Sequence, residues 1–307
     1  MTIMRGPIPL RGEGARTGFA MQAHFRNEGL EWAFKFGSKL GYEAVEITAH
    51  PRAVPDFDPD EILKGKASEI INLAKKYGLI ISALTYHANM LNPDLKLRKD
   101  MSDYYKKIIQ CAAQMDVPVT TIASGAVIPG KNIDECWNEF GTVIGELAEY
   151  AEEHGVKIAI EGFWDPRNQN IVYSPESFEK AFQVVPSKSL GWNYDPSHLI
   201  WQRADYIAML LNFKDRIFHV HGKDTEILTA RLAQVGIMGS SWWRFRIPGW
   251  GEVDWKRVTT VLREIGYEYV LSVENEDRTI SREEAFEKAI QFLKPLWSTT
   301  FHRNTTQ

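Results

Sequence analysis

Short apolar runs alternate with stretches of helical spacing along nearly the whole chain. A weak apolar run at 17–21 precedes helical spacing over Glu28–Leu40, which stops at Gly41, the position a C-terminal cap glycine takes. The same alternation predicts strand Glu43–Ile47, helix Pro59–Tyr77 stopped by Gly78, strand Leu79–Leu84 and helix Leu95–Met115. It continues with strand Pro118–Ala123, helix Ile133–His154, strand Val156–Ile160, helix Pro175–Val184, strand Leu190–Tyr194 and helix Ala204–Asn212. Strand Ile217–Val220, helix Asp254–Ile265, strand Tyr269–Val273 and helix Arg282–Leu293 complete the series. Strands alternating with helices imply parallel pairing with crossover helices. About eight such units in this length predict an α/β protein that is one closed (β/α)8 TIM barrel. A doubly wound open sheet is the competing reading, but no G-x-G-x-x-G follows the first strand.

No Pro/Gly/Ser-rich linker divides the chain, so residues 1–307 read as one domain, with the barrel from about 17 to 296 and loose ends. The longest irregular stretch, 225–253, falls between the seventh and eighth strands and is expected over the barrel mouth. A formal net charge of −4 argues against nucleic acid or an anionic membrane as partner. The N-terminal stretch has no apolar core of a signal peptide, and no run is long enough to cross a bilayer. Cys111 and Cys136 both fall in helical patterns, which suits reduced thiols in a cytoplasm.

Active sites of such barrels are built where strands end, so polar residues there carry the functional signal. VKIAIEG ends the fifth strand on Glu161, and LGWNYDPSHL ends the sixth on Asp195 with His198 three residues on. IFHVHGKD ends the seventh on His221, followed by Lys223, and YVLSVENED ends the eighth on Glu274. Singly, each has an ordinary reading: a loop carboxylate, a turn-forming Asp before Pro, a hydrogen-bonded core histidine. Together, four consecutive strands deliver a Glu, an Asp, a His and a Glu to one rim. Such an oxygen-rich set with one imidazole suits a single divalent ion, Mn²⁺ foremost, with Mg²⁺, Co²⁺ or Zn²⁺ as alternatives. His219 is an alternative imidazole, but its spacing to Lys223 and Asp224 favours His221.

His87 ends the third strand, and Lys223 is placed to hold a substrate oxygen or to pair with Glu276. His24 and Glu46 follow the first two strands and could line the opposite wall. Phe163, Trp164, Trp201, Trp242, Trp243 and Trp250 fall near the expected mouth, where flat sugar faces pack on rings. Arg244 and Arg246 precede a glycine-rich turn, as candidates for a substrate carboxylate or phosphate or as a solvated rim.

The segments GWNYDPSHLIWQ, FHVHGKDTEI, IPGWGEVDW and LSVENED resemble the sugar phosphate isomerase/epimerase superfamily, over roughly Phe19 to Leu296. That group also holds xylose isomerase, the ketose 3-epimerases, inosose dehydratase and endonuclease IV. The resemblance implies Glu161, Asp195, His221 and Glu274 as metal ligands. It also implies Glu161 and Glu274 as an acid/base pair on either face of a substrate carbon, with an enediolate between the two proton transfers. His198 matches a histidine that touches substrate, and His87, Lys223, Arg246 and Trp164 complete the expected substrate contacts. The expected activity is thus a metal-dependent sugar isomerase or epimerase, a homo-oligomer acting on a small sugar. A lyase that dehydrates a keto-sugar or eliminates from a 3-keto-glycoside is the alternative, since both begin with proton abstraction beside a carbonyl. A nuclease of the endonuclease IV kind is disfavoured: the fourth strand ends in Ala123-Ser124-Gly125, where such an enzyme needs a further histidine.

Overall fold

The structure is a computed structural model that describes residues 14–21, 25, 27–164 and 169–298. His24 lies outside the described residues. Eight parallel strands close into a barrel. They are β1 (Arg16–Ala20), β2 (Ala44–Thr48), β3 (Ile80–Tyr86), β4 (Val119–Ala123), β5 (Lys157–Glu161), β6 (Leu190–Tyr194), β7 (Ile217–Gly222) and β8 (Val270–Val273). β8 pairs with β1 and closes the ring: Arg16 lies opposite Val270 and Phe19 opposite Val273. The surrounding helices are α1 (Leu30–Leu40), α2 (Ala67–Lys76), α3 (Leu95–Gln114), α4 (Ile133–Glu153), α5 (Pro175–Val184), α6 (Tyr206–Asn212), α7 (Trp255–Glu264) and α8 (Arg282–Trp297).

The helices start and stop where local chemistry satisfies their ends. Asn132 and Glu135 form a reciprocal capping box at the start of α4, and Ser174 and Ser177 do the same for α5. Asp94 and Ser281 cap α3 and α8 through their side chains, and each such cap stabilises its helix by about 1 kcal/mol. Gly41 ends α1 with φ 89°, which only glycine adopts without strain.

Two departures from the expected elements have physical causes. The helix expected over 59–77 is interrupted: Gly65 sits at φ 129°, and a wide turn over Ile62–Lys66 precedes the regular α2. The stretch 225–253 is not irregular. Asp224–Ile227 and Trp243–Arg246 pair as an antiparallel hairpin, with a short helix, Thr229–Val235, at its end. Its strands, DTEI and WRFR, lack the apolar run that marks a barrel strand.

Both cysteines are buried and free. No helix among the described residues is long and apolar enough to cross a membrane.

Candidate active site

Residues two apart on a strand face the same side, so His219 and His221 of β7 both point into the barrel, one above the other. Around His221 the four neighbouring strands β5, β6, β7 and β8 bring Glu161, Asp195, His221 and Glu274 together, with one donor atom of each within 4.8 Å of the others. All four are buried. His221 Nδ1 lies 3.6 Å from Glu161 Oε2, 3.9 Å from Asp195 Oδ2 and 3.3 Å from Glu274 Oε2.

The ring orientation is set from the far side of the barrel. His221 Nε2 lies 3.0 Å from Glu46 Oε2, and that oxygen also accepts from Ser272 Oγ at 3.1 Å. Thr85 Oγ1 donates to the other oxygen of Glu46. With Nε2–H engaged by a carboxylate, Nδ1 turns its lone pair toward the three acidic side chains. Burial raises the affinity of Glu46 for a proton, but the imidazoles of His221 and His219 and the hydrogen bonds outweigh it and bring the carboxyl down to about 2. Burial likewise opposes charge on His221, yet the carboxylates of Glu46, Glu274 and Glu161 hold its proton well above the usual imidazole range. The field that attracts that proton also attracts a cation at the same lone pair.

The donor set suits a divalent ion. Three carboxylates and one oriented imidazole converge, and Asp195 Oδ2 is buried without a well-aligned hydrogen bond, while Oδ1 is occupied by the Ser197 N–H at 2.8 Å. Glu46, His219 and His221 form a second group with metal-type donors. There, however, His219 is satisfied by Asn193 Oδ1 at 3.1 Å and Ser82 Oγ at 3.3 Å, and burial lowers its proton affinity to about 4. His219 therefore braces Asn193 and the barrel interior below His221.

A cavity of about 430 Å³ opens over the cluster, lined by Glu161, Glu274, His87, His198, Lys223, Trp164, Trp243 and Phe245 among others. His87 Nε2 lies 3.1 Å from Glu161 Oε2, and His198 Nε2 lies 3.4 Å from Glu161 Oε1. The Lys223 ammonium is buried between Asp195 Oδ2 at 3.0 Å, Glu276 Oε2 at 3.1 Å and Glu274, with the Phe245 ring 4.5 Å away. Burial opposes its charge, but the carboxylates of Asp195, Glu274, Glu276 and Glu161 hold its proton well above the usual lysine range.

Arg246 is the one expected contact that the structure does not bring into the cavity. Its guanidinium is engaged by Asp277 Oδ2 at 2.7 Å and Glu226 Oε2 at 2.6 Å. Arg244 reaches the cavity lining but also pairs with Glu226, at 2.7 Å. Among the expected aromatics, Phe163, Trp164 and Trp243 line the cavity. Trp201 stacks on Trp243 at 5.1 Å, Trp242 is buried in the core, and Trp250 is partly exposed and carries Arg246 on its ring.

Sequence reasoning left Asp224, Phe245 and Asn193 unassigned. Asp224 is the staple of the hairpin: its carboxylate accepts from the N–H groups of Thr225, Gly249 and Val253 and from Trp255 Nε1, at 2.8–3.1 Å. Gly251 permits this close approach, since a Cβ there would lie 2.2 Å from Asp224 Oδ1. An Asp directly after the strand-seven motif, with a glycine-rich turn downstream, was the available signal.

Residues 34–296 match the family described as xylose isomerase-like TIM barrel. Fructoselysine 3-epimerase of Shigella flexneri is 28% identical over 269 residues, spanning 83% of this chain and 90% of its own. Inosose dehydratase of Clostridium tetani is 27% identical over 147 residues, 47% of this chain and 48% of its own. Among solved structures, the IOLI protein with a bound zinc atom superposes with a TM-score of 0.71 at 22% identity, covering 92% of this chain and all of its own. Two of these relatives are thus an epimerase and a dehydratase. With a closed parallel barrel and a match across most of its length, the chain belongs to the xylose isomerase-like TIM barrel family.

Proposed function

We propose that the protein is a divalent-metal-dependent sugar isomerase or epimerase in which Glu161 and Glu274 move a proton on and off a carbon next to a carbonyl. The observation that carries this reading is the convergence of the two buried glutamates with Asp195 on one imidazole nitrogen, at the floor of a sugar-sized cavity. Glu161, Asp195, His221 and Glu274 would hold the ion, Mn²⁺ on the strength of the oxygen-rich donor set. Bound there, it supplies Lewis-acid polarisation of substrate oxygens.

The rest is done by the chain's own side chains. One glutamate takes the hydrogen from the carbon beside the carbonyl, and the other returns a hydrogen from the opposite face. His87 and His198 contact different oxygens of Glu161 and so fix the plane of its carboxylate. Lys223 donates to a substrate oxygen, and Phe163, Trp164, Trp243 and Phe245 close the walls against water. The epimerase among the relatives supports an epimerisation.

A lyase is the second reading. It is favoured by the firmly protonated Lys223 in the cavity, a donor suited to a departing oxygen, and by the dehydratase among the relatives. Both readings require exchange of a substrate hydrogen with solvent, and they part on the product: an isomer, or an unsaturated ketone and a released fragment. The test is turnover of keto-sugars in deuterated water with Glu161→Gln and Glu274→Gln. Each variant should bind substrate and lose rate by about 10²-fold or more. Turnover without solvent hydrogen in the product would overturn the acid–base roles and point to hydride transfer.

A further inference from the structure

Lys223 stands two residues beyond His221, the spacing that turns both side chains to one side of an extended chain. Its ammonium meets two of the oxygens that His221 Nδ1 also faces, Asp195 Oδ2 at 3.0 Å and Glu274 Oε2, and Glu161 Oε1 lies 3.9 Å away. Each of the three carboxylates of the metal-type cluster therefore has the same positive charge beside it. Among the described residues no other lysine or arginine lies within ion-pair distance of them.

The contacts of this ammonium are of two kinds. It has three N–H groups to give. They go to Glu274 Oε2, to Glu276 Oε2 at 3.1 Å and to His198 Nε2 at 3.2 Å. Asp195 Oδ2 lies as near, yet receives no aligned N–H and is held by charge alone. Glu276 differs from the other acids: its side chain is 42% exposed, whereas Glu161, Asp195, Glu274 and Lys223 are all buried. The ammonium thus joins the inner acids to one solvent-facing carboxylate, with the Phe245 ring packed 4.5 Å from Nζ.

The donor atoms of the cluster lie within 4.8 Å of one another, so its carboxylates repel. A buried unit charge among them relieves that repulsion, and it also repels a dication drawing on the same oxygens, with little screening by salt. We propose that Lys223 is an internal counter-ion of the acidic cluster, which holds the carboxylates together and lowers their affinity for a divalent ion. Once the inner oxygens are engaged by an ion, Glu276 and solvent at the mouth still accept from the ammonium, so its displacement strands no buried donor. The proposal rests on the reading of the cluster as a divalent-ion site.

Mn²⁺ binding to the metal-stripped full chain, measured by calorimetry at one pH, tests it with Lys223→Met, which keeps an unbranched apolar stem and removes the charge. Affinity should rise by about tenfold or more. The stripped variant should melt below the stripped parent, so the gap between loaded and stripped thermal midpoints should widen. Phe245→Leu serves where stripped Lys223→Met does not stay folded. It alters no charge but loosens the ammonium by loss of the ring, and affinity should rise about threefold. Mn²⁺ binding by the parent with no gain in Lys223→Met, or with none in Phe245→Leu where that variant carries the test, overturns the counter-ion. A fall in Lys223→Met also overturns it and marks Lys223 as a donor that shapes the ligands. Binding by neither parent nor variants overturns the ion site itself, and the counter-ion with it.

Discussion

The two halves of the barrel divide the work. β5 to β8 carry or end at every member of the metal-type cluster: Glu161, Asp195, His221 and Glu274. β2 to β4 contribute none of them, yet Glu46, Ser82, Thr85 and Thr121 turn hydroxyls and a carboxylate into the same interior. One half holds the clustered carboxylates and their imidazole, and the other spends its polar groups on orienting that imidazole. A site assembled this way is stiff because its orienting groups are themselves fixed by neighbours on adjacent strands.

The division can be broken from the ligand side first. Replacing His221 by Ala removes the imidazole on which the other donors converge. Metal content measured on the purified protein should fall to background, with activity lost alongside; full retention of metal would remove His221 from the centre. Glu46→Gln attacks from the supporting side. The amide keeps the shape but gives up the charge that orients His221, and metal affinity should fall about 10–100-fold, with turnover recovered at saturating metal. A variant that binds metal as tightly as the parent but turns over slowly would move Glu46 from the supporting half into the chemistry.

Acidity separates the halves more gently. The carboxylates around His221 hold its proton well above the usual imidazole range, so an incoming ion displaces a proton at neutral pH. Apparent metal affinity should therefore rise with pH, by about tenfold per unit where one proton is displaced, and the ion should be released as pH falls. Calorimetry in buffers of different ionisation enthalpy counts the protons, and a count of zero contradicts the assignment. The smallest effect is expected at Arg246, between Asp277 and Glu226 and outside the cavity. Arg246→Met leaves the buried Asp277 without its cation and should lower stability by about 1–3 kcal/mol in denaturant unfolding. A selective rise in KM with unchanged stability would return Arg246 to substrate binding.

The half that carries the cluster was readable in the sequence because each candidate ends an apolar strand, where position alone carries meaning. Glu161, Asp195, His221 and Glu274 could be placed on one rim from the order of the strands. The supporting half was not readable to the same depth. Glu46 was noticed as a wall residue, but its partner His221 lies 175 positions away, and no local pattern encodes which strand interiors face one another. The hairpin was hidden for a related reason. It is held by Asp224 reaching Gly249, Val253 and Trp255, contacts that closure of the loop creates and that leave no periodic trace. For Arg246 the sequence left a substrate contact and a charged rim open, and which acids stand beside it, Asp277 and Glu226, is set by the fold and not by local pattern.

The same staple has an evolutionary consequence. Because one carboxylate gathers the hairpin at its base, Trp243 and Phe245 keep their place in the cavity wall whatever the far end does. That end, from the short helix to Ile237 and Met238, touches the core only through the partly buried Leu232 and Val235, and Met238 is 94% exposed. Exposed residues there can be exchanged at little cost to the barrel. Beside the wall that Trp243 and Phe245 form, the protein thus carries a segment whose sequence is only weakly constrained by the fold.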